Sequence, residues 1–238
     1  MMFRAFLAIL EIGSFWHVFP IVVAILAGTF IIYFAKSKLN RKQQVNLLCV
    51  LTVSLSLFVL LVPVYKLITH EFHIKRDLPL YLNNFTALIF PIVLILKKPL
   101  LFRILFFWSM AWGVQGILTP DVTNNPQSLE YFRYWIANLM PMVIVFYVLF
   151  ILKIFPDFNS VFLSIVSLQI YFIIVMIINE ILHSNYMYLN AKPASITVLD
   201  YLGPWPYYLI VMQFMLIPYF LLFYFPFYLL KKQSSSNL

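Results

Sequence analysis

The sequence predicts an all-α polytopic membrane protein of seven transmembrane helices, with the N-terminus outside and the C-terminus inside. Three observations predict it. Of 238 residues, 63% are hydrophobic and only 10% charged. Soluble domains run at roughly 45–50% apolar and about 25% charged, so no water-soluble fold could hide this much apolar surface. Seven apolar runs approach the length of about 20 residues that spans a hydrocarbon core. The basic residues, finally, fall mostly on one side of those runs.

The predicted spans are Phe15–Ala35, Val45–Ile68, Leu78–Leu96, Leu100–Leu118, Phe132–Leu152, Ser160–Leu182 and Pro204–Leu230, in one domain over residues 1–238. The first opens at His17 and stops before Lys36. The second runs up to Lys66, which can snorkel, as can Arg103 near the start of the fourth. The third begins at Leu78, carries a polar Asn83-Asn84 pair about five residues in and ends before Lys97 and Lys98. The fifth opens on Phe132-Arg133, and the sixth closes on Asn179-Glu180. The seventh is long and must tilt, kink at Pro218 or protrude. The N-terminal stretch MMFRAFLAILEIGSFWHVFP makes a poor signal peptide and is expected to be retained. The single cysteine, Cys49, rules out an internal disulfide and reads as a packing thiol.

Ten of the sixteen Lys and Arg residues fall on the predicted inner side, against one acid, Asp157. The outer side holds Arg4, Lys66, Lys75, Arg76, Arg133 and Lys192, together with the other seven acids and all four histidines. The net charge of +8 is thus a topology signal. It does not point to nucleic acid, since no basic and aromatic surface accompanies it. The inner lysines suit anionic lipid headgroups.

Polar side chains collect at one depth. Asn83 and Asn84 lie roughly 8 Å below the outer end of the third span, Gln115 roughly 5 Å below that of the fourth and Asn138 roughly 9 Å below that of the fifth. In hydrocarbon such groups must face the bundle interior or a water-filled cavity. One vestibule opening outward is therefore predicted. Trp112, Gln115 and Thr119 share a helix face, as do Tyr81 and Asn84, and Asn179 and His183 stand four apart. Gly113 and Gly116 permit close helix approach. The stretch HSNYMYLNAKPASITVLDYLGPWPYYL reads as the outer connection before span seven, folded over the vestibule as a lid braced by Asn185 and Asp200. Pro204 and Pro206 suit the first turn of that span, and Trp205 an interfacial anchor.

Several chemistries have no signature here. There is no Walker loop, dinucleotide glycine pattern or HExxH. His70-x-x-His73 lacks a third ligand, and Ser14-x-x-His17 has no adjacent acid to make a triad. No metal, haem or nucleotide cofactor is implied.

The blocks Ser14-x-x-His17, Asp77-Leu-Pro-Leu-Tyr-Leu-Asn83, Gln115-Gly-Ile-Leu-Thr-Pro-Asp121, Phe132-Arg133, Asn185-Tyr-Met-Tyr, Lys192-Pro193 and Leu199-Asp200-x-Leu-Gly-Pro-Trp-Pro206 stand in this order along nearly the whole chain. Together they resemble the bacterial YwaF family, which is related to the animal transmembrane protein 164 family. The resemblance implies seven spans in the cell membrane. In the animal branch it implies acyl transfer between phospholipids through a cysteine. The family pattern implies Leu-Pro-Leu-His-Leu-Cys at the start of span three and a histidine in span five. This chain carries Tyr81, Asn83 and Asn138 at those positions. An asparagine cannot form an acyl-thioester.

Two readings follow, both with membrane lipid as the partner. In a lipid-modifying, acyltransferase-like enzyme, His17 is the general base, oriented by Asp77 or Asp200. Asn83, Asn138 or Gln115 then stabilises an oxyanion, and Arg133 or Lys192 binds phosphate. In a non-catalytic carrier, receptor or accessory subunit, the same vestibule only binds. Tyr81, Asp121, Asn185, Tyr186 and Trp205 complete the expected binding set under either reading.

Overall fold

The computed structural model describes residues 10–122, 125–193 and 197–236. Arg4 and the centre of the connection before the last helix lie outside the described residues. Among the described residues the fold is entirely helical. It consists of α1 (Phe15–Lys38), α2 (Arg41–Ile68), α3 (Leu82–Leu96), α4 (Pro99–Leu118), α5 (Leu129–Tyr147), α6 (Phe158–Leu182) and α7 (Tyr207–Ser236). Six of these are long and apolar enough to cross a membrane, and α3, at 15 residues, is shorter.

Local chemistry explains where the helices begin. Asn40 and Gln43 form a reciprocal capping box that starts α2 four residues before the predicted Val45. Ser128 accepts the Tyr131 amide and starts α5 at Leu129 rather than Phe132. Asp157 and Ser160 cap α6 in the same way as Asn40 and Gln43 cap α2. The third span starts later than its hydropathy suggests. Pro79 disfavours helical backbone at Leu78, and the Leu78 amide donates instead to the Tyr186 hydroxyl at 3.0 Å. Residues 78–81 therefore stay outside the helix, and α3 begins at Leu82. The last helix likewise begins at Tyr207, just past Pro206, instead of at Pro204. At the other end, α5 widens into a π-helical turn over Val148–Leu152. Arg41 donates to the Ile151 carbonyl of that turn at 3.1 Å.

Helices α4 and α5 form the centre of the bundle. Glycines bring them together: a Cβ on Gly116 would stand 2.7 Å from Asn138 Oδ1, and one on Gly113 would stand 3.0 Å from the Asn138 carbonyl oxygen. Small residues at helix contacts let backbones approach where no hydrophobic force acts between helices. α1 packs Gly28 against Val143 of α5. α2 reaches α3 through Ser56, which donates to the Ala87 carbonyl at 2.6 Å. Trp108 of α4 donates to the Ser164 carbonyl of α6 at 3.1 Å. α7 joins α6 through Gln169 and Gln213 at 2.6 Å, and α4 through stacked Phe107 and Phe220. α2, α3 and α5 therefore enclose one region, and α4, α6 and α7 another.

Candidate functional site

Polar side chains do gather at the end where α3, α5 and α7 begin, but they enclose two adjoining cavities. The first is a polar chamber of about 540 Å³. Its walls include Lys66 from α2, Asp77 and Tyr81 from the α2–α3 connection, Asn83 and Asn84 from α3, and Arg133 from α5. The second is an apolar cleft of about 270 Å³ between α4, α6 and α7. Trp112, Asp121, Tyr134 and Tyr188 line both. This largely aromatic partition is why one predicted vestibule becomes two compartments.

The chamber is held by a chain of ion pairs. Lys66 Nζ reaches Asp77 Oδ1 at 2.7 Å and also pairs with Glu130. Arg133 Nη2 reaches the other Glu130 oxygen at 2.6 Å. Asp77 is only 3% exposed. Its second oxygen accepts from the His73 amide at 2.8 Å and approaches Arg76 at 3.4 Å. Burial pushes the Asp77 carboxyl up, but the Lys66 ammonium, the His73 amide and Arg76 together hold it below its ordinary value. Lys66 thus turns inward as the centre of a network instead of snorkelling. Lys66 and Glu130 were missed as site residues because near-terminal charges in hydropathy runs read as solvated ends. Their place on the chamber face of α2 and α5 was the available signal.

A cluster of tyrosines stands on the chamber's other side. Tyr81 packs on Tyr186 and Tyr188 with ring centroids 5.8 and 5.7 Å apart, and on Trp112 at 6.4 Å. Tyr188 donates to the Asp121 carboxylate. Burial, with Tyr81 and Asp121 nearby, pushes its hydroxyl well above the usual range, so it stays a donor. Tyr186 is buried, donates to the Ile74 carbonyl at 2.5 Å and is pushed up to about 12 by burial. Tyr134 donates to the Gly116 carbonyl at 2.8 Å and accepts the Asp121 amide at 3.3 Å, which ties the partition to both central helices.

Not every expected residue reaches a cavity. His17 lines neither of them. Its Nδ1 accepts from the Gly13 amide at 3.1 Å, so Nε2 carries the proton and donates to the Ile117 carbonyl at 2.9 Å. It hydrogen-bonds to neither Asp77 nor Asp200. Asn138 is buried; its Nδ2 donates to the Tyr134 carbonyl at 2.7 Å, and its Oδ1 meets Gly116 without a hydrogen-bond partner. Gln115 lines the cleft and donates to Thr119 at 2.6 Å. Asn83 and Asn84 line the chamber, and Asn83 Oδ1 accepts the Asn84 amide at 2.8 Å.

The connection before α7 mainly covers the cleft: Pro193, Thr197, Val198, Leu199 and Leu202 line the cleft alone, and Tyr188 lines both cavities. Asn179 does not use its side chain on His183. It holds the turn after α6, accepting from the Tyr186 amide and the Ser184 hydroxyl and donating to the Tyr186 carbonyl. Asn185 closes the next turn by accepting the Asn190 and Ala191 amides. Asp200 accepts the Thr197 amide at 2.7 Å and faces Lys192 at 3.8 Å. Trp205 donates to the Leu189 carbonyl at 3.1 Å while its ring stays more than half exposed. The strap is therefore pinned at both ends.

A family model for the TMEM164 family matches residues 12–224, nearly the whole chain. The chain belongs to the TMEM164 family. The match takes in every residue of the chamber, the partition and the cleft, so the site lies inside the TMEM164 portion. No curated protein and no solved structure matches the chain.

Proposed function

We propose that this protein is a cell-membrane protein of seven spans whose paired cavities bind one membrane lipid, with the headgroup in the polar chamber and an acyl chain in the apolar cleft. The observation that supports this is that the two cavities adjoin, with Trp112, Asp121, Tyr134 and Tyr188 lining both. A charged compartment joined to an apolar one suits an amphipathic ligand, whose two parts differ in the solvent they need. Arg133, Tyr81, Asn83 and Asn84 face the headgroup under this reading, and Gln115 and Asp121 stand at the junction. Lys192, Asp200, Asn185 and Trp205 hold the strap, and His17 braces α1 against the end of α4. The short α3 completes the seventh crossing by continuing through residues 78–81.

The basic residues at the far end, among them Lys36, Lys38, Arg41, Lys42, Lys97 and Lys98, support a cytoplasmic position for that end and an outward-facing site. Tyr201 is 83% exposed on the strap. A Tyr201→Cys protein, with Cys49 replaced by Ser, is expected to react with an impermeant thiol reagent on intact cells. Reaction only after permeabilisation overturns the orientation.

The lipid reading is tested with a phospholipid carrying a photoreactive group on its acyl chain. Cross-links are expected on Met212–Tyr219 of α7 and Val198–Leu202 of the strap. Labelling spread evenly over the exposed face of α1, which carries Phe19, Leu26 and Phe30, would mean bulk lipid contact and defeat the reading. Comparing the lipids of cells with and without the protein separates action from binding: altered acyl composition favours an enzyme, and unchanged composition favours a carrier or receptor.

A further inference from the structure

The apolar cleft has a floor. On α4 its lining runs from Thr119 to Ala111, eight residues and about 12 Å of helical rise. On α7 it runs from Met212 to Tyr219, and on α6 it descends to Leu168. The deepest positions of α4 and α7 meet, since the Tyr219 hydroxyl donates to the Ala111 carbonyl at 3.2 Å. Beyond them the helices close. Phe107 and Phe220 stack at 5.4 Å, both fully buried, and Trp108 is bonded to the Ser164 carbonyl. Nothing longer than the cleft fits past this layer without moving two aromatic rings.

We infer that Tyr219 sets the length of acyl chain that the cleft accepts. The inference rests on the lipid reading above and adds a specificity residue to it. The Tyr219 ring is the floor, and its bond to the Ala111 carbonyl holds the ring across the cleft end. Ala111, with no side chain beyond Cβ, leaves the floor at its present depth; a larger residue there would raise it. The chain comes from lipid or detergent and not from water, so each methylene that enters the cleft strengthens binding only by its packing contacts with the walls. One that meets the floor adds nothing, or forces the chain to bend.

The test is native mass spectrometry of the purified full chain in detergent micelles. The ligands are phosphatidylglycerol and phosphatidylethanolamine, each with lauroyl, myristoyl, palmitoyl or stearoyl chains. For the unaltered protein, affinity is expected to climb with chain length and then level off. In Tyr219→Ala the levelling point moves to a longer chain. In Tyr219→Phe, which keeps the ring, it stays where it was. In Ala111→Met it moves to a shorter chain, an independent check should Tyr219→Ala fold poorly. An unchanged levelling point in both Tyr219→Ala and Ala111→Met overturns the assignment, as does a climb with no levelling in the unaltered protein. No binding by the unaltered protein to either series defeats the lipid reading itself, which is a different result.

Discussion

The chamber and the cleft lie side by side, yet they are built by opposite means. The chamber's walls are held by side-chain charges: Lys66 joins α2 to the α2–α3 connection and to α5, and Arg133 completes the chain. The cleft's walls are held by packing and by single neutral hydrogen bonds, Gln169 to Gln213 and Tyr219 to Ala111. A buried charge that loses its partner costs far more than a neutral hydrogen bond. The chamber's walls are therefore the costlier to disturb, and the side walls of the cleft yield more readily above its closed aromatic floor.

The largest expected effect tests the chamber directly. Lys66→Met leaves Asp77, which is 3% exposed, with only the His73 amide and Arg76 on its second oxygen, and removes one partner of Glu130. Loss of one partner of a buried pair costs about 3–5 kcal/mol. Thermal unfolding in micelles is expected to shift by that equivalent, and Asp77→Asn in the Lys66→Met background to recover part of it. A shift below about 1 kcal/mol would mean that the network is solvent-screened and the contrast with the cleft is false.

The partition comes next. Gly116→Ala places a methyl 2.7 Å from Asn138 Oδ1 and 3.2 Å from the Tyr134 hydroxyl. Overpacking of this kind costs about 1–3 kcal/mol. The wall between the compartments shifts with it, so lipid binding is expected to fall together with stability. Binding retained at full strength would show that the two cavities do not act as one site.

The strap should respond less. Trp205→Phe removes the donor to the Leu189 carbonyl, a loss of about 1 kcal/mol. Faster proteolysis within the strap, with the bundle's unfolding temperature nearly unchanged, is the expected outcome. Equal loss in both would place Trp205 in the bundle's stability.

The smallest effect is in pH. Asp77's folded value lies below its ordinary one, so its contribution is complete above the ordinary carboxylate range and is lost as pH falls through the lowered value. An unfolding temperature that is flat through neutral pH and declines only in strong acid is expected. In Lys66→Met the acid decline is expected to shrink, because loss of the ammonium moves the folded value of Asp77 back up toward its ordinary one.

Hydropathy placed every helix within a few residues, because the need to satisfy backbone groups in lipid acts locally along the chain. The misplaced starts, at α2, α3, α5 and α7, all sit where a cap or a proline decides the first turn. The polar end was legible for the same reason: Asn83, Gln115 and Asn138 are unusual wherever they fall in an apolar run. Their destinations were not legible. Gln115 went to the cleft, Asn83 to the chamber and Asn138 to a glycine contact, since helix rotation is chosen by packing between helices and not by the residues of one helix.

By itself, then, the sequence determined that this is a helical membrane protein with its polar chemistry gathered at one end. Composition and period do not depend on which helix touches which. Only the tertiary structure decided that the polar end is two compartments, that His17 is engaged on both nitrogens, and that Lys66 belongs with Asp77 and Glu130. Those outcomes depend on partners far apart in the chain, among them Tyr188 with Asp121 and Tyr186 with Ile74. Such pairs form only when seven helices pack, because a buried polar group takes the partner that the assembled bundle brings within reach.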